Sequence, residues 1–237
     1  MKEYWELLER LLAAEKLGYI KTHRVGPTGI GKTLEDLLGI RENNIPGPNG
    51  VMIELKASRK NAKSMITLFT KSPLPESANA ALLRKYGYPS RRGNDRKELH
   101  TTVNGIDYNT IKGRPGFKIG FTEDRIVILG PPPDVNEEGY YDRGMLSQSF
   151  QRKLPRLLFV KADSRGNGAD EEFWFNEGWL LSGFSFENFV RFLQSGDIVL
   201  DIRIGQYPNG RPHDHGTGFR VKQSNLDLCF SQRERVL

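Results

Sequence analysis

Cysteine is almost absent from this chain: of 237 residues, only Cys229 carries a thiol. No intramolecular disulfide can form and no four-cysteine zinc site can be built, which fits a reducing compartment. No apolar run approaches the ~20 residues that span a bilayer. The opening Met1-Lys-Glu-Tyr-Trp-Glu6 lacks the layout of a signal peptide. A cytoplasmic protein without membrane contact is therefore expected. Internal repeats and low-complexity segments are also missing, which excludes solenoids and long flexible linkers. Acidic charge is the scarcer sign, with 29 Asp and Glu against 35 Lys and Arg.

What is present is enough apolar material for a core: 37 % hydrophobic and 10 % aromatic residues support one large domain or two intimately joined lobes. The net charge of +6 and pI near 9.4 are not evenly spread. Arg59, Lys60 and Lys63 form one basic group, and Arg84, Lys85, Arg91, Arg92, Arg96 and Lys97 another. A polyanion is the natural partner of such a surface. Many proteins are equally basic without binding nucleic acid, so the pattern of individual residues has to decide.

Tyr4, Leu7, Leu8, Leu11 and Leu12 recur at helical spacing and predict a helix over 3–17, stopped by Gly18. A second helix begins at Thr33, with Leu34, Leu37 and Leu38 inward and Glu35 and Asp36 off that stripe. Residues 51–57 read as a strand and 64–70 as its partner. Residues 85–116 read as polar surface loop. A hairpin is expected over 117–129, further strands at 157–162, 172–175 and 198–204, and a helix at 186–194.

The strand at 51–57 carries the most chemical information. Residues two apart on a strand share a face, so Glu54 and Lys56 project together while Ile53 and Leu55 enter a core. A carboxylate beside an ammonium, with other acids near, suits metal-assisted phosphodiester hydrolysis: the acids hold the cation, and the lysine orients the water and steadies developing charge. Most Glu-x-Lys pairs are nevertheless solvated strand faces.

Two other motifs compete for attention. Gly26-Pro-Thr-Gly-Ile-Gly31-Lys32-Thr33 satisfies the P-loop pattern, but the preceding Tyr19-Ile-Lys-Thr-His-Arg-Val25 is too charged for a buried parallel strand. The bland alternative is a glycine-rich turn feeding a helix. His213-Asp214-His215 suggests a metal, yet no other His or Cys is near in sequence to complete a ligand set. The run from Asp201 to Arg220, with Arg203, Tyr207 and Arg211 among glycines and prolines, suits reading base edges: arginine to guanine, aspartate to the cytosine amino group.

These strings together resemble the MvaI/BcnI family of type II restriction endonucleases, related to the MutH repair nickase within the PD-(D/E)xK superfamily. The likeness is carried by Thr28-Gly-Ile-Gly-Lys-Thr-Leu-Glu35, Ile53-Glu54-Leu-Lys56 and Thr67-Leu-Phe-Thr-Lys-Ser-Pro73. It continues through Leu99-His100, Asp201-Ile-Arg-Ile-Gly205 and His213-Asp-His-Gly-Thr-Gly-Phe-Arg220. The Gly-Lys-Thr string recurs in the family without nucleotide binding, which weakens the P-loop reading.

The resemblance implies an α/β (α+β) fold: a PD-(D/E)xK core with a mixed sheet flanked by helices, plus a DNA-recognition lobe. It implies a single compact chain with a catalytic lobe centred on about 1–85 and a recognition lobe drawing on about 86–237, including 197–222. Glu54 is implied as a Mg²⁺ ligand, Lys56 as the catalytic lysine and Glu35 as a supporting carboxylate. Asn49 stands where the family has its second metal ligand, an Asp. An amide keeps one oxygen but loses the charge, so this copy is either disabled or weakened. Deamidation of Asn49-Gly50 offers a third route, restoring an Asp in some molecules.

Asp201, Arg203 and Arg220 are implied to read C·G pairs, with Tyr207, His213 and His215 beside them. Arg59, Lys60, Thr70, Lys71 and His100 complete the expected DNA contacts. Thr70, where one branch of the family carries histidine and the other threonine, is implied to favour CCWGG over CCSGG. Double-stranded DNA is the implied substrate, a monomer the implied state and a DNA methyltransferase the implied companion. A non-cleaving DNA-binding protein of the same fold is the alternative, and a P-loop NTPase a distant third.

Overall fold

The computed structural model describes residues 2–40, 44–46, 52–90, 96–154 and 156–237. The chain begins with α1 (Lys2–Lys16), β1 (Ile20–Lys21), α2 (Gly29–Leu38), β2 (Asn44–Pro46), β3 (Met52–Arg59) and β4 (Ile66–Thr70). There follow α3 (Ala78–Tyr86), β5 (Tyr88–Pro89), β6 (Lys97–Val103), β7 (Thr110–Ile111), β8 (Arg114–Pro115), β9 (Lys118–Phe121) and β10 (Arg125–Leu129). Next come β11 (Glu137–Asp142), α4 (Arg143–Lys153), β12 (Arg156–Arg165), β13 (Glu172–Ser182) and α5 (Phe186–Ser195). The chain ends with β14 (Ile198–Gln206), β15 (Pro212–Asp214), β16 (Gly218–Val221), α6 (Leu226–Cys229) and β17 (Gln232–Arg235).

These elements form two compact units, each discontinuous in sequence. One takes Met1–Ser64, Gln151–Phe184 and Phe230–Leu237; the other takes Met65–Phe150 and Ser185–Cys229. Strand pairing rather than chain order makes the division. β3 pairs in parallel with β12, a hundred residues downstream, and antiparallel with β2. β4, expected from the sequence to pair with β3, joins the other unit and pairs with β16 instead. Alternation shows which face of a strand is apolar but not which strand lies beside it.

In the first unit the sheet order is β1-β13-β12-β3-β2, with β17 added to β13. Ile53 and Leu55 of β3 are buried against Leu34 and Leu38 of α2 and Leu7 and Leu11 of α1. Each such side chain contributes about 1.5–3 kcal/mol by leaving water. Glu54 and Lys56 are thereby turned to the opposite face. α2 ends where Gly39 adopts the left-handed conformation (φ 66°), and the Arg10 guanidinium donates to the Leu38 carbonyl at 2.8 Å. That anchored helix carries Glu35.

In the second unit the sheet runs β4-β16-β14-β6-β5, with β15 on β14. A separate sheet, β11-β10-β9, includes the expected hairpin at 117–129. Phe69, Phe150, Phe189 and Phe219 meet in one aromatic cluster with ring centroids 5.1–6.3 Å apart. The described parts of the 85–116 stretch hold more regular structure than their polarity implies. They contribute β6, whose alternation buries Leu99, Thr101 and Val103, to the sheet between β14 and β5. Among the described residues no helix is long and apolar enough to cross a membrane.

Candidate functional site

In the first unit, Glu54 is 5 % exposed, and its Oε1 accepts a hydrogen bond from the Lys56 ammonium at 2.7 Å. Its Oε2 has no hydrogen-bond partner among the described residues. The Lys153 ammonium lies 3.8 Å from Oε2, within ion-pair reach but too far to donate. A buried acceptor left unmade costs about 1–3 kcal/mol, and an anionic oxygen open on one side is a fitting ligand for a hard cation. The donor set thus fits a divalent ion in part. Among the described residues, no three His, Cys, Asp or Glu groups gather to hold a metal. Asn49, the other expected ligand, lies outside the described residues. Glu35 is half-buried on α2, the helix packed on β3, and has no ion pair among the described residues.

The sequence gives no hint of Lys153. It closes α4, and β12 starts three residues later with Leu157 in register opposite Glu54. Only that parallel pairing brings it to the carboxylate.

Arg59 and Lys60 are used within the unit. The Arg59 fork donates to both oxygens of Glu171, at 2.5 and 2.6 Å, and lies over the Phe173 ring. Lys60 pairs with Asp163 at 3.1 Å. Among the described residues the structure pairs neither cation with Glu54. Nor does it build a P-loop. β1 is a two-residue edge strand antiparallel to β13, and the Lys32 ammonium is held by Asp36 at 2.6 Å. Hydrogen bonds from Lys32 and then His23 hold the Asp36 carboxyl below the ordinary carboxylate range.

In the second unit, Asp201 and Arg203 share one face of β14, and β16 and β6 flank them. Asp201 Oδ2 accepts from Arg203 Nε at 2.6 Å, and Oδ1 from the Thr102 hydroxyl at 3.2 Å. Arg220 Nε lies 2.8 Å from the same Oδ2, yet its N–H is not aligned to donate. One buried carboxylate thus holds two guanidiniums. Burial weakens the Arg220 proton affinity, Asp201 strengthens it and Arg203 weakens it again; the net shift is downward. A cleft of about 810 Å³ opens over Asp201 and Arg203, walled by His100, Thr102, Tyr108 and Thr110. His100 faces Arg203 across the β6–β14 register.

The remaining expected residues gather on the same sheet. The His213 ring is tilted 38° against Tyr207, with centroids 4.4 Å apart, and meets His215 edge-on at 4.3 Å; His100 is 6.1 Å from His215. Gly205 makes room for them, since a Cβ there would come within 2.6 Å of His215 Nε2. Thr70 ends β4 exposed, opposite Gly218. Lys71 is fixed through its backbone: its N–H donates to the Thr217 carbonyl, and its carbonyl accepts from Tyr141 Oη at 3.1 Å.

Asp214 does not complete a metal site with its neighbouring histidines. Its carboxylate accepts from Ser72 at 2.7 Å, Asn79 at 2.9 Å, and the amides of Gly216 at 2.9 Å and Thr217 at 2.6 Å. Burial alone raises its pKa, but the bonds from Ser72 and from the Thr217 and Gly216 amides outweigh burial and leave it below the usual range. A folded pKa below the unfolded value of about 3.9 stabilises the native state above that pH and ceases to do so as pH falls through the folded value. The Asp214→Asn protein should therefore melt below the parent at pH 7, and the gap should close in thermal melts below about pH 4. A gap that persists unchanged at acid pH would contradict this role.

The architecture defines a class with solved members. The structure of restriction endonuclease MvaI in complex with cognate DNA matches at a TM-score of 0.83 and 32 % identity, over 98 % of this chain and 97 % of that one. MvaI in the absence of DNA matches at a TM-score of 0.59 and 31 % identity, over 100 % and 99 %. The fold is thus the mixed α+β fold of a restriction endonuclease. No curated protein matches the chain. The profile of the MvaI/BcnI restriction endonuclease family matches residues 8–230, and the chain belongs to that family.

Proposed function

We propose that this chain is a Mg²⁺-dependent endonuclease that recognises CCWGG in double-stranded DNA, acting as a cytoplasmic monomer beside a matching DNA methyltransferase. The observation that carries the catalytic part is the buried Glu54 carboxylate, one oxygen on Lys56 and the other unbonded among the described residues. Glu54, with Asn49 and supported by Glu35, would hold the cation. A bound Mg²⁺ supplies Lewis-acid polarisation of the phosphoryl group and a more acidic water. Lys56, kept at 2.7 Å by Glu54, orients the attacking water and offsets charge growing on the phosphate. Lys153 neutralises the other side of Glu54 when the cation is away.

Reading belongs to the second unit. The Arg203 side chain is 43 % exposed and keeps its outer N–H groups free of Asp201, so its fork is open to a guanine edge. Asp201, held by Thr102 and two arginines, would accept from a cytosine amino group. Thr70 at the exposed end of β4 supports CCWGG over CCSGG.

Nicking and gel-shift assays on CCWGG and CCSGG duplexes, with Mg²⁺ and with Ca²⁺, test the whole reading. Glu54→Gln should abolish cleavage while leaving site-specific binding in place. Cleavage that survives Glu54→Gln would move the chemistry elsewhere. The absent charge at Asn49 favours a second reading, a protein that binds its site and does not cut; binding without nicking in the parent chain would select it.

A further inference from the structure

The hairpin β7–β8 is stiffer than a surface connection needs to be. Its two turn residues, Lys112 (φ 52°) and Gly113 (φ 79°), are both left-handed, as a two-residue hairpin turn requires. Glycine meets that demand freely, whereas the Cβ of lysine makes it strained there. The base of the hairpin is fastened by Asn109. Its amide donates to the Thr101 hydroxyl at 2.7 Å and the Thr102 carbonyl at 2.6 Å, and its Oδ1 accepts from the Phe117 N–H at 2.7 Å. Gly116 is packed so closely that a Cβ there would lie 2.0 Å from Asn109 Oδ1. Through Thr102, whose hydroxyl bonds Asp201, the hairpin is clamped to the base-reading strands.

The tip is cationic and placed beside the cleft. Thr110 walls the cavity over Asp201 and Arg203, and with Lys112 it lines a neighbouring cavity of about 380 Å³. Lys112 and Arg114 then border a further cavity of about 810 Å³. Both side chains are exposed, and neither has a carboxylate partner among the described residues. The Lys112 ammonium is held 4.6 Å over the Tyr88 ring, and the Tyr88 hydroxyl bonds the His100 backbone at 3.2 Å. Among the described residues, the one acid lining the 380 Å³ cavity, Glu98, accepts from Ser90 at 2.7 Å. A strained lysine kept at a rigid, unneutralised tip points to a ligand of opposite charge.

We propose that the hairpin Thr110–Pro115 is a backbone clamp, with Lys112 and Arg114 gripping phosphates of the duplex that flanks the base pairs read by Arg203 and Arg220. This rests on the DNA-binding reading given above. It assigns the hairpin affinity and register, not base choice.

Equilibrium binding in Ca²⁺ across a salt series tests it. The duplexes are CCWGG and scrambled DNA extending a full turn beyond the site, and a CCWGG duplex trimmed to the site. Lys112→Ala and Arg114→Ala should each lower the slope of log K against log salt by about 0.9, weakening cognate and scrambled DNA alike. On the trimmed duplex they should bind as the parent does. Lys112→Gly separates this from a folding role: it relieves the turn and should raise the melting temperature, yet lower the salt slope as alanine does. Parent-like slopes in all three variants, while Arg203→Ala still loses site preference, overturn the clamp alone. If Arg203→Ala also binds as the parent and the parent does not prefer CCWGG, the DNA-reading assignment itself falls.

Discussion

Asn49→Asp should raise Mg²⁺-dependent cleavage by roughly 10²–10³, the usual effect of restoring one preorganised catalytic charge. Among the described residues, the centre offers the cation one buried anionic oxygen at Glu54, already flanked by the ammoniums of Lys56 and Lys153. Two cations beside one carboxylate leave little net negative charge to attract a third. A second carboxylate changes that balance, where an amide oxygen supplies a dipole only. DNA affinity should move the other way, falling modestly as negative charge is added near the phosphate. Single-turnover cleavage of a CCWGG duplex by freshly purified parent and variant measures the effect. Mass spectrometry of the Asn49-Gly50 peptide excludes prior deamidation as the source of any parent activity. Equal rates would remove position 49 from the metal site and leave Glu35 as the supporting acid to test.

Asp201→Asn should be the most damaging single change in the second unit. Asp201 is 6 % exposed and its Oδ2 pairs with both the Arg203 and Arg220 guanidiniums. Without its charge the two cations face each other, and the Arg220 side chain is itself only 12 % exposed. Breaking a buried ion pair from one side costs about 3–5 kcal/mol. The exposure of Arg203 places this case toward the lower end. Arg203→Ala, by contrast, should leave stability near the parent and cost about 1–3 kcal/mol of discrimination at one base pair. Urea melts and competition binding on single-substituted CCWGG duplexes distinguish the two variants. An Asp201→Asn protein as stable as the parent would show that solvent, not Asp201, balances the arginines.

Some of this was legible from residue order alone. The inward placing of Ile53 and Leu55 and the outward pairing of Glu54 with Lys56 follow from the two-residue period of a strand. The sharing of one face by Asp201 and Arg203 follows for the same reason, and α1 and α2 are readable from their apolar stripes and terminal glycines. Other readings did not follow. The ion-pair partners of Arg59 and Lys60, Glu171 and Asp163, lie too far along the chain to be seen in residue order. Charge shows in a sequence, whereas its neutralising partner does not.

Local periodicity therefore determined which residues of a strand point together and that α1, α2 and α5 form. Tertiary structure alone decided which strands are neighbours. β4 left β3 for β16, β12 came in beside β3 and carried Lys153 to Glu54, and β6 moved from an expected loop to the sheet that carries Asp201. The physical reason is that pairing of distant strands is set by backbone hydrogen bonds and shared core burial, which any apolar strand satisfies locally. The choice among partners is made only when the whole core is packed.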